Sequence, residues 1–328
     1  MPKHARPRVV MMADGKRVDG GPTEDCLGTD HGNGVTLEAS ILNRYDRFSL
    51  YNSPYPAHDE GCAIDLYPSD DGDVAPAPAP VSGTVLETKT VRAPPKPYAP
   101  EHDHLLLIEC SAPASIAGLV ARILHVDPVV EPGETVTIGD PLGTLVHAGF
   151  FAPWVDDHLH VGFRRPEQNH HRAVGSLPVE LAVDVRPLAW DGCGTVVETG
   201  ETYAVLDSPA HPNPGEFAGI AADGGGVLDG GLAHYDGGGL LGGGDSADGP
   251  TAVALNGERI GTATGRTVAW DDVVVTANGE PITGISLFCA RDADFGAKLV
   301  CPERSLECGQ DVQVRVRTGS EEMESALE

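Results

Sequence analysis

Glycine and proline set the terms for this chain, with 41 glycines and 27 prolines among 328 residues. In a helix interior glycine costs about 1 kcal/mol relative to alanine and proline about 3 kcal/mol. The apolar runs between these breaks are short. VSGTVLE, LLLIEC, LVARILHV, TAVALNGERI and DVQVRVR each have the length of a strand, and few stretches show the spacing of an amphipathic helix. The chain is therefore expected to be all-β.

The texture of the sequence divides it. Residues 1–45 read as an N-terminal extension, turn-rich over 1–40, with a loose alternation from Val35 to Leu50 that suits one or two strands. Residues 46–190 read as a first β domain ending near Trp190, and residues 191–317 as a second, β-rich accessory domain. Within the latter, 223–249 is dominated by glycine and is expected to be a flexible loop with no core of its own. The end, 318–328, reads as a disordered acidic tail.

Charge excludes some functions. The formal net charge is −27 and the pI about 4.6, which would repel a phosphate backbone, so nucleic acid is not an expected partner. The only lysines are Lys3, Lys16, Lys89, Lys96 and Lys298. Abundant carboxylates with scarce lysine suit a halophilic protein solvated at high salt, where screening tolerates self-repulsion. No apolar run is long enough to span a membrane. The start, MPKHARPRVVMMADGKRVDGG, lacks the apolar core of a secretory signal, which points to the cytoplasm, or to the exterior if the N-terminus is incomplete. Seven scattered cysteines do not form a disulfide pattern.

The most informative stretch is DDHLHVGFRR, 156–165. On a strand, His158 and His160 share one face with Gly162, while Leu159, Val161 and Phe163 share the other, as a buried face requires. Two imidazoles so placed lie roughly 6.5–7 Å apart along the backbone, close enough for one to bind a metal and the other to reach water on it. Asp156 and Asp157 before the strand, and Arg164 and Arg165 after it, mark where it is expected to surface.

Further pieces precede it in order: HDEGCAID at 58–65, APVSGTV at 79–85, ILHVDP at 123–128 and VEPGETVTIGDPLGTL at 130–145. With HLHVGF, these resemble the lysostaphin-like (LytM-type) zinc metallopeptidases over about residues 55–166, a third of the chain. The resemblance implies a compact antiparallel β-sandwich folded over a groove, with one zinc ion per chain. It also implies His58, Asp65 and His160 as metal ligands, His125 and His158 as catalytic histidines, and a peptide or cell-envelope peptide as substrate. The chemistry is consistent, because a catalytic zinc takes three N/O ligands plus water and lowers the pKa of that water. A neutral histidine can then act as base while a second stabilises the oxyanion or protonates the leaving amine. The alternative is a non-hydrolytic metal-binding or scaffold protein that keeps the fold.

One spacing departs from the family, which usually has three residues between its first histidine and aspartate; six lie between His58 and Asp65 here. Either the extra loop bulges out and leaves the pair in place, or Asp59, Glu60 or Cys62 lies nearer the metal. A second His-x-His, His102-Asp103-His104, follows a proline-rich loop and is expected at the surface, as are His147, His170 and His171. Cys193, Cys289, Cys301 and Cys308 could form a structural metal site, but buried free thiols are the default. The GETVTIGDPLGTL run also resembles lipoyl and biotinyl carrier domains. No lysine lies between Lys96 and Lys298 to hold a prosthetic group, so that reading fails.

Overall fold

The structure is a computed structural model that describes residues 34–69, 76–243 and 249–318. It is all-β apart from two four-residue helical turns, Ala39–Leu42 and Pro56–Asp59. Among the described residues no helix is long and apolar enough to cross a membrane.

Two large sheets carry the fold. The strand Leu159–Arg164 sits in the middle of the ten-stranded one, between Ile64–Tyr67 on one side and Val120–Leu124 on the other, both antiparallel. Beyond Val120–Leu124 come the long strands His102–Ala112 and Ser82–Arg92. Leu159, Val161 and Phe163 are fully buried, packed in one cluster with Phe48, Ile64, Leu66, Leu106 and Ile108. Burial of each such side chain contributes about 1.5–3 kcal/mol relative to exposure. That anchors the strand and leaves its other face free to carry polar groups. Gly83 is needed where Ser82–Arg92 crosses its neighbour, because a Cβ there would lie 2.0 Å from the Glu109 carbonyl oxygen.

The second domain's twelve-stranded sheet encloses a separate apolar cluster that includes Leu206, Leu228, Ile260, Val268, Ile285 and Leu299. The two domains are joined through backbone as well as side chains. Arg47–Ser49 pairs on one edge with Ile64–Tyr67 and on the other with Cys289–Ala290 of the second domain. Val185–Leu188 and Phe217–Ile220 extend the same sheet.

Three sequence expectations need correction. The glycine-rich segment is not a loop: Val227–Leu232 and Gly237–Leu241 form an antiparallel hairpin inside the twelve-stranded sheet, and every residue of the first strand is buried. Glycine is required there by close packing. A Cβ on Gly239 would lie 2.2 Å from the Tyr51 ring, and one on Gly238 2.1 Å from the Trp270 ring. The extension expected to reach residue 45 ends earlier. Val35–Glu38 pairs in parallel with Val179–Ala182, and Val35, Leu37, Ile41, Leu42 and Tyr45 are fully buried in the first core. Arg164, expected at the surface, is 1% exposed. Its guanidinium donates to the carbonyls of Asn169, Arg172 and Val174 and so fastens the following loop. The stretch before Gly34 and the tail beyond Thr318 lie outside the described residues.

Candidate metal centre

The register of the central strands assembles the site. His160 pairs directly with Asp65 across one edge and with Leu124 across the other, which brings the next residue, His125, alongside. His125 has φ +69°, in the left-handed region that costs a non-glycine residue energy and often marks a functional position. His58 comes from the helical turn Pro56–Asp59. The six-residue gap to Asp65 is taken up by a tight turn at Gly61 (φ +63°), in which the Gly61 amide donates to the His58 carbonyl and the Cys62 amide to that of Ala57. Asp59 and Glu60 face solvent, and the Cys62 thiol turns back to the Glu60 carbonyl. Of the two arrangements left open by the spacing, the structure has the bulge.

His58 Nε2, Asp65 Oδ1 and His160 Nδ1 converge. The separations are 3.0 Å between the two nitrogens, 3.0 Å from His160 to Asp65 and 3.3 Å from His58 to Asp65. Among the described residues they are the one group of histidine, cysteine and carboxylate atoms close enough to share a metal ion. Ligands about 2.0–2.1 Å from a tetrahedral zinc are roughly 3.4 Å apart, so the donor set and spacing fit zinc. His58 has one nitrogen committed elsewhere, with Nδ1 2.7 Å from the Leu50 carbonyl oxygen, which leaves Nε2 for the centre.

Two more histidines border this group. His158 Nδ1 is 2.8 Å from the Asp156 carbonyl oxygen, and its Nε2 lies 3.5 Å from Asp65 Oδ1. His125 and His158 ring centres are 5.2 Å apart. The Phe151 ring packs against both, and Tyr67 against His158. His125 Nδ1 is 2.7 Å from Oδ2 of Asp103, and Asp103 Oδ1 accepts from the backbone amides of His104 and His125. Asp103 is fully buried. It is the residue that sequence reasoning missed: it is the middle of the second His-x-His motif, set aside as a surface feature. The available signal was alternation, which puts Asp103 on the same face as Leu105 and Leu107, a buried one. Its neighbours behave as expected, His102 being exposed and His104 partly exposed beside Asp127.

The electrostatics follow from burial and proximity. Burial pushes His160 down to about 3 despite Asp65, and it lowers His158 as well, so both rings are neutral near pH 7. Burial alone would raise Asp65, but the neighbouring His58 and His158 and the hydrogen bonds to His160 and His58 outweigh it and hold the carboxyl well below the usual range. His58 is raised: burial lowers it, but Asp65 and the Leu50 carbonyl carry it upward. Ligands bind a divalent cation as carboxylate and neutral imidazole, so Asp65 and His160 are ready for one, while a cation would have to displace the proton that Asp65 favours on His58. Elsewhere Cys289 and Cys301 are buried while Cys193 and Cys308 are exposed, and no described cysteine joins a potential metal group.

A search of curated proteins found no match. Among solved structures the antimicrobial peptidase lysostaphin from Staphylococcus simulans matches with 13% identity over 80% of this chain and 92% of that one. Its TM-score is 0.25, and at that value the likeness carries no argument. Residues 36–181 match the N-terminal domain, and residues 186–317 the C-terminal domain, of a family described as a domain of unknown function, DUF8155. With those two domains matched in order from residue 36 to residue 317, the chain belongs to the DUF8155 family.

Proposed function

We propose that this chain is a zinc-dependent metalloendopeptidase that hydrolyses a peptide or cell-envelope peptide substrate. The observation that carries the reading is the mutual spacing of His58, Asp65 and His160, 3.0–3.3 Å, with two further histidines beside them. Zinc held by those three residues would polarise a peptide carbonyl and acidify water.

The chain's own groups then divide the proton work. With Nδ1 bonded to a carbonyl and its ring neutral, His158 presents an unprotonated Nε2 toward the centre and is suited to take a proton from water. His125, with a buried carboxylate on Nδ1, has Nε2 free and is the group placed to carry a proton to the leaving amine. Phe151 and Tyr67 pack against these rings and limit the water around them.

The test is elemental analysis of protein purified in molar KCl, wild type beside His160→Ala and Asp65→Ala, followed by a screen of glycine-rich, D-amino-acid-containing and ordinary peptides. About one zinc per chain, lost in both variants, together with chelator-sensitive cleavage is expected. Zinc without cleavage of any peptide would leave a non-hydrolytic metal-binding scaffold. No zinc in the wild type would overturn the reading.

A further inference from the structure

We infer that the C-terminal domain is a working part of the metal centre: its Asp229 and Lys298 are positioning residues that aim His58 and His158. The inference rests on the proposed metal site, but the contacts that carry it belong to the protein alone.

Both histidines are oriented through Nδ1 by a backbone carbonyl, Leu50 for His58 and Asp156 for His158. Each of those carbonyls belongs to a segment held from the second domain. Asp229, fully buried on Val227–Leu232, accepts from the Leu50 amide at 2.7 Å and from the Ser49 hydroxyl. The Ser49 oxygen in turn accepts from the Asn52 amide at 3.0 Å. Residues 49–52 are thus curled around a carboxylate from the other domain, and the Leu50 carbonyl is left pointing at His58. The bare glycine hairpin makes this approach possible, because Gly239 lies flat against Tyr51 and side chains there would hold the segment away.

The second brace has the same logic. Lys298, 4% exposed, places Nζ 2.8 and 2.9 Å from the two carboxylate oxygens of Asp156, and Arg47 donates to one of them at 2.5 Å. Asp156 cannot rotate without breaking this cluster, so its own carbonyl stays on His158 Nδ1. The Asp156 side chain is 39% exposed, and an ion pair with so open a partner contributes little net stability. What Lys298 adds is a fixed position for the loop that carries His158. A pair of ring tautomers, both with Nε2 facing the centre, is then set by groups distant in sequence and in another domain. Partners of this kind commonly change metal affinity or activity by about 10–100-fold when removed.

The experiment uses the full chain and the variants Asp229→Asn, Lys298→Met and Lys298→Arg, with Asp156→Asn/Lys298→Met as a charge-neutral pair should Lys298→Met fail to fold. Histidine ring tautomers are read by long-range proton–nitrogen NMR on metal-free protein, zinc affinity by chelator competition, and the site's geometry by the visible absorption of the cobalt-loaded form. Asp229→Asn is expected to weaken zinc about tenfold and alter the cobalt spectrum. Lys298→Met or the neutral pair is expected to leave zinc affinity within about twofold while redistributing the His158 tautomer, and Lys298→Arg to restore it. Unchanged tautomers, zinc affinity and cobalt spectrum in folded variants would overturn the inference and leave the second domain as a cover. If the wild type bound no zinc, the metallopeptidase reading would fall while the tautomer measurement still decided this one.

Discussion

The two domains are both sheets with apolar cores, yet they bury polar groups differently. In the first, His58, Asp65, Asp103, His125 and His158 are all buried around one point. The second buries His211, Asp229, Thr276, Ser286 and Lys298, and three of these bond to the first domain: Asp229 to Ser49 and Leu50, Ser286 to Asn52, and Lys298 to Asp156. Buried polar groups cost free energy unless paired. One domain bears that cost at the proposed metal site, and the other bears much of it at the interface behind that site. A β-rich accessory domain is therefore better understood here as the rear wall of the site.

The largest effect expected to separate the domains is on metal. Asp65→Ala removes a proposed ligand, so zinc affinity should fall by more than about a hundredfold, beyond the loss expected when only supporting partners are removed. Chelator competition measures it, and retained affinity would mean that the carboxylate comes from another residue.

Next in size is Gly239→Val, which alters no residue of the proposed metal site. The new side chain would meet the Tyr51 ring, so stability should drop by about 3 kcal/mol in urea denaturation. Because the ten-stranded sheet runs through both domains, one cooperative transition is expected. Two separate transitions would show that the domains are independent.

Asp103→Asn tests the first domain's own support. The amide keeps the size but loses the charge opposite His125 Nδ1, and cleavage should fall roughly 10–100-fold with zinc affinity little changed. A parallel loss of zinc would place His125 among the ligands.

The smallest effect is that of His234→Phe in the turn of the glycine hairpin. Burial lowers His234 to about 3, whereas an unfolded histidine titrates near about 6.5. A ring kept neutral in the folded state stabilises fully above the unfolded value, and that stability is lost as pH falls from about 6.5 towards 3. The phenylalanine variant should therefore show a flatter dependence over that window, read from urea midpoints at pH 7 and pH 4.5. An identical slope would mean that the ring is solvated in the native state.

Legibility in the sequence followed the range of the interactions. Alternation in HLHVGF identified the buried face of the central strand because period-two burial is a local property. The glycine-rich segment was misread for the opposite reason. Glycine there answers to Tyr51, in the other domain, and to Trp270, on a later strand of its own sheet, and nothing within the hairpin signals that a ring will lie against it. Asp103 was passed over because its partner, His125, follows the neighbouring strand and is reached only when Leu105 pairs with Leu124. Arg164 looked like a surface marker because a charged residue at a strand end usually is one. Here the carbonyls of Asn169, Arg172 and Val174 curl round to meet its guanidinium.

By itself the sequence determined the all-β class, the order of the motif pieces and the apolar face that fixes the central strand, since all three rest on spacing between near neighbours. Tertiary structure alone decided that Asp65 stays beside His58 across a longer loop, that Asp103 holds His125, and that Asp229 and Lys298 reach in from the second domain. Hydrogen bonds and close contacts act over about 3 Å in space and carry no trace in a one-dimensional pattern until strand pairing brings the distant residues together.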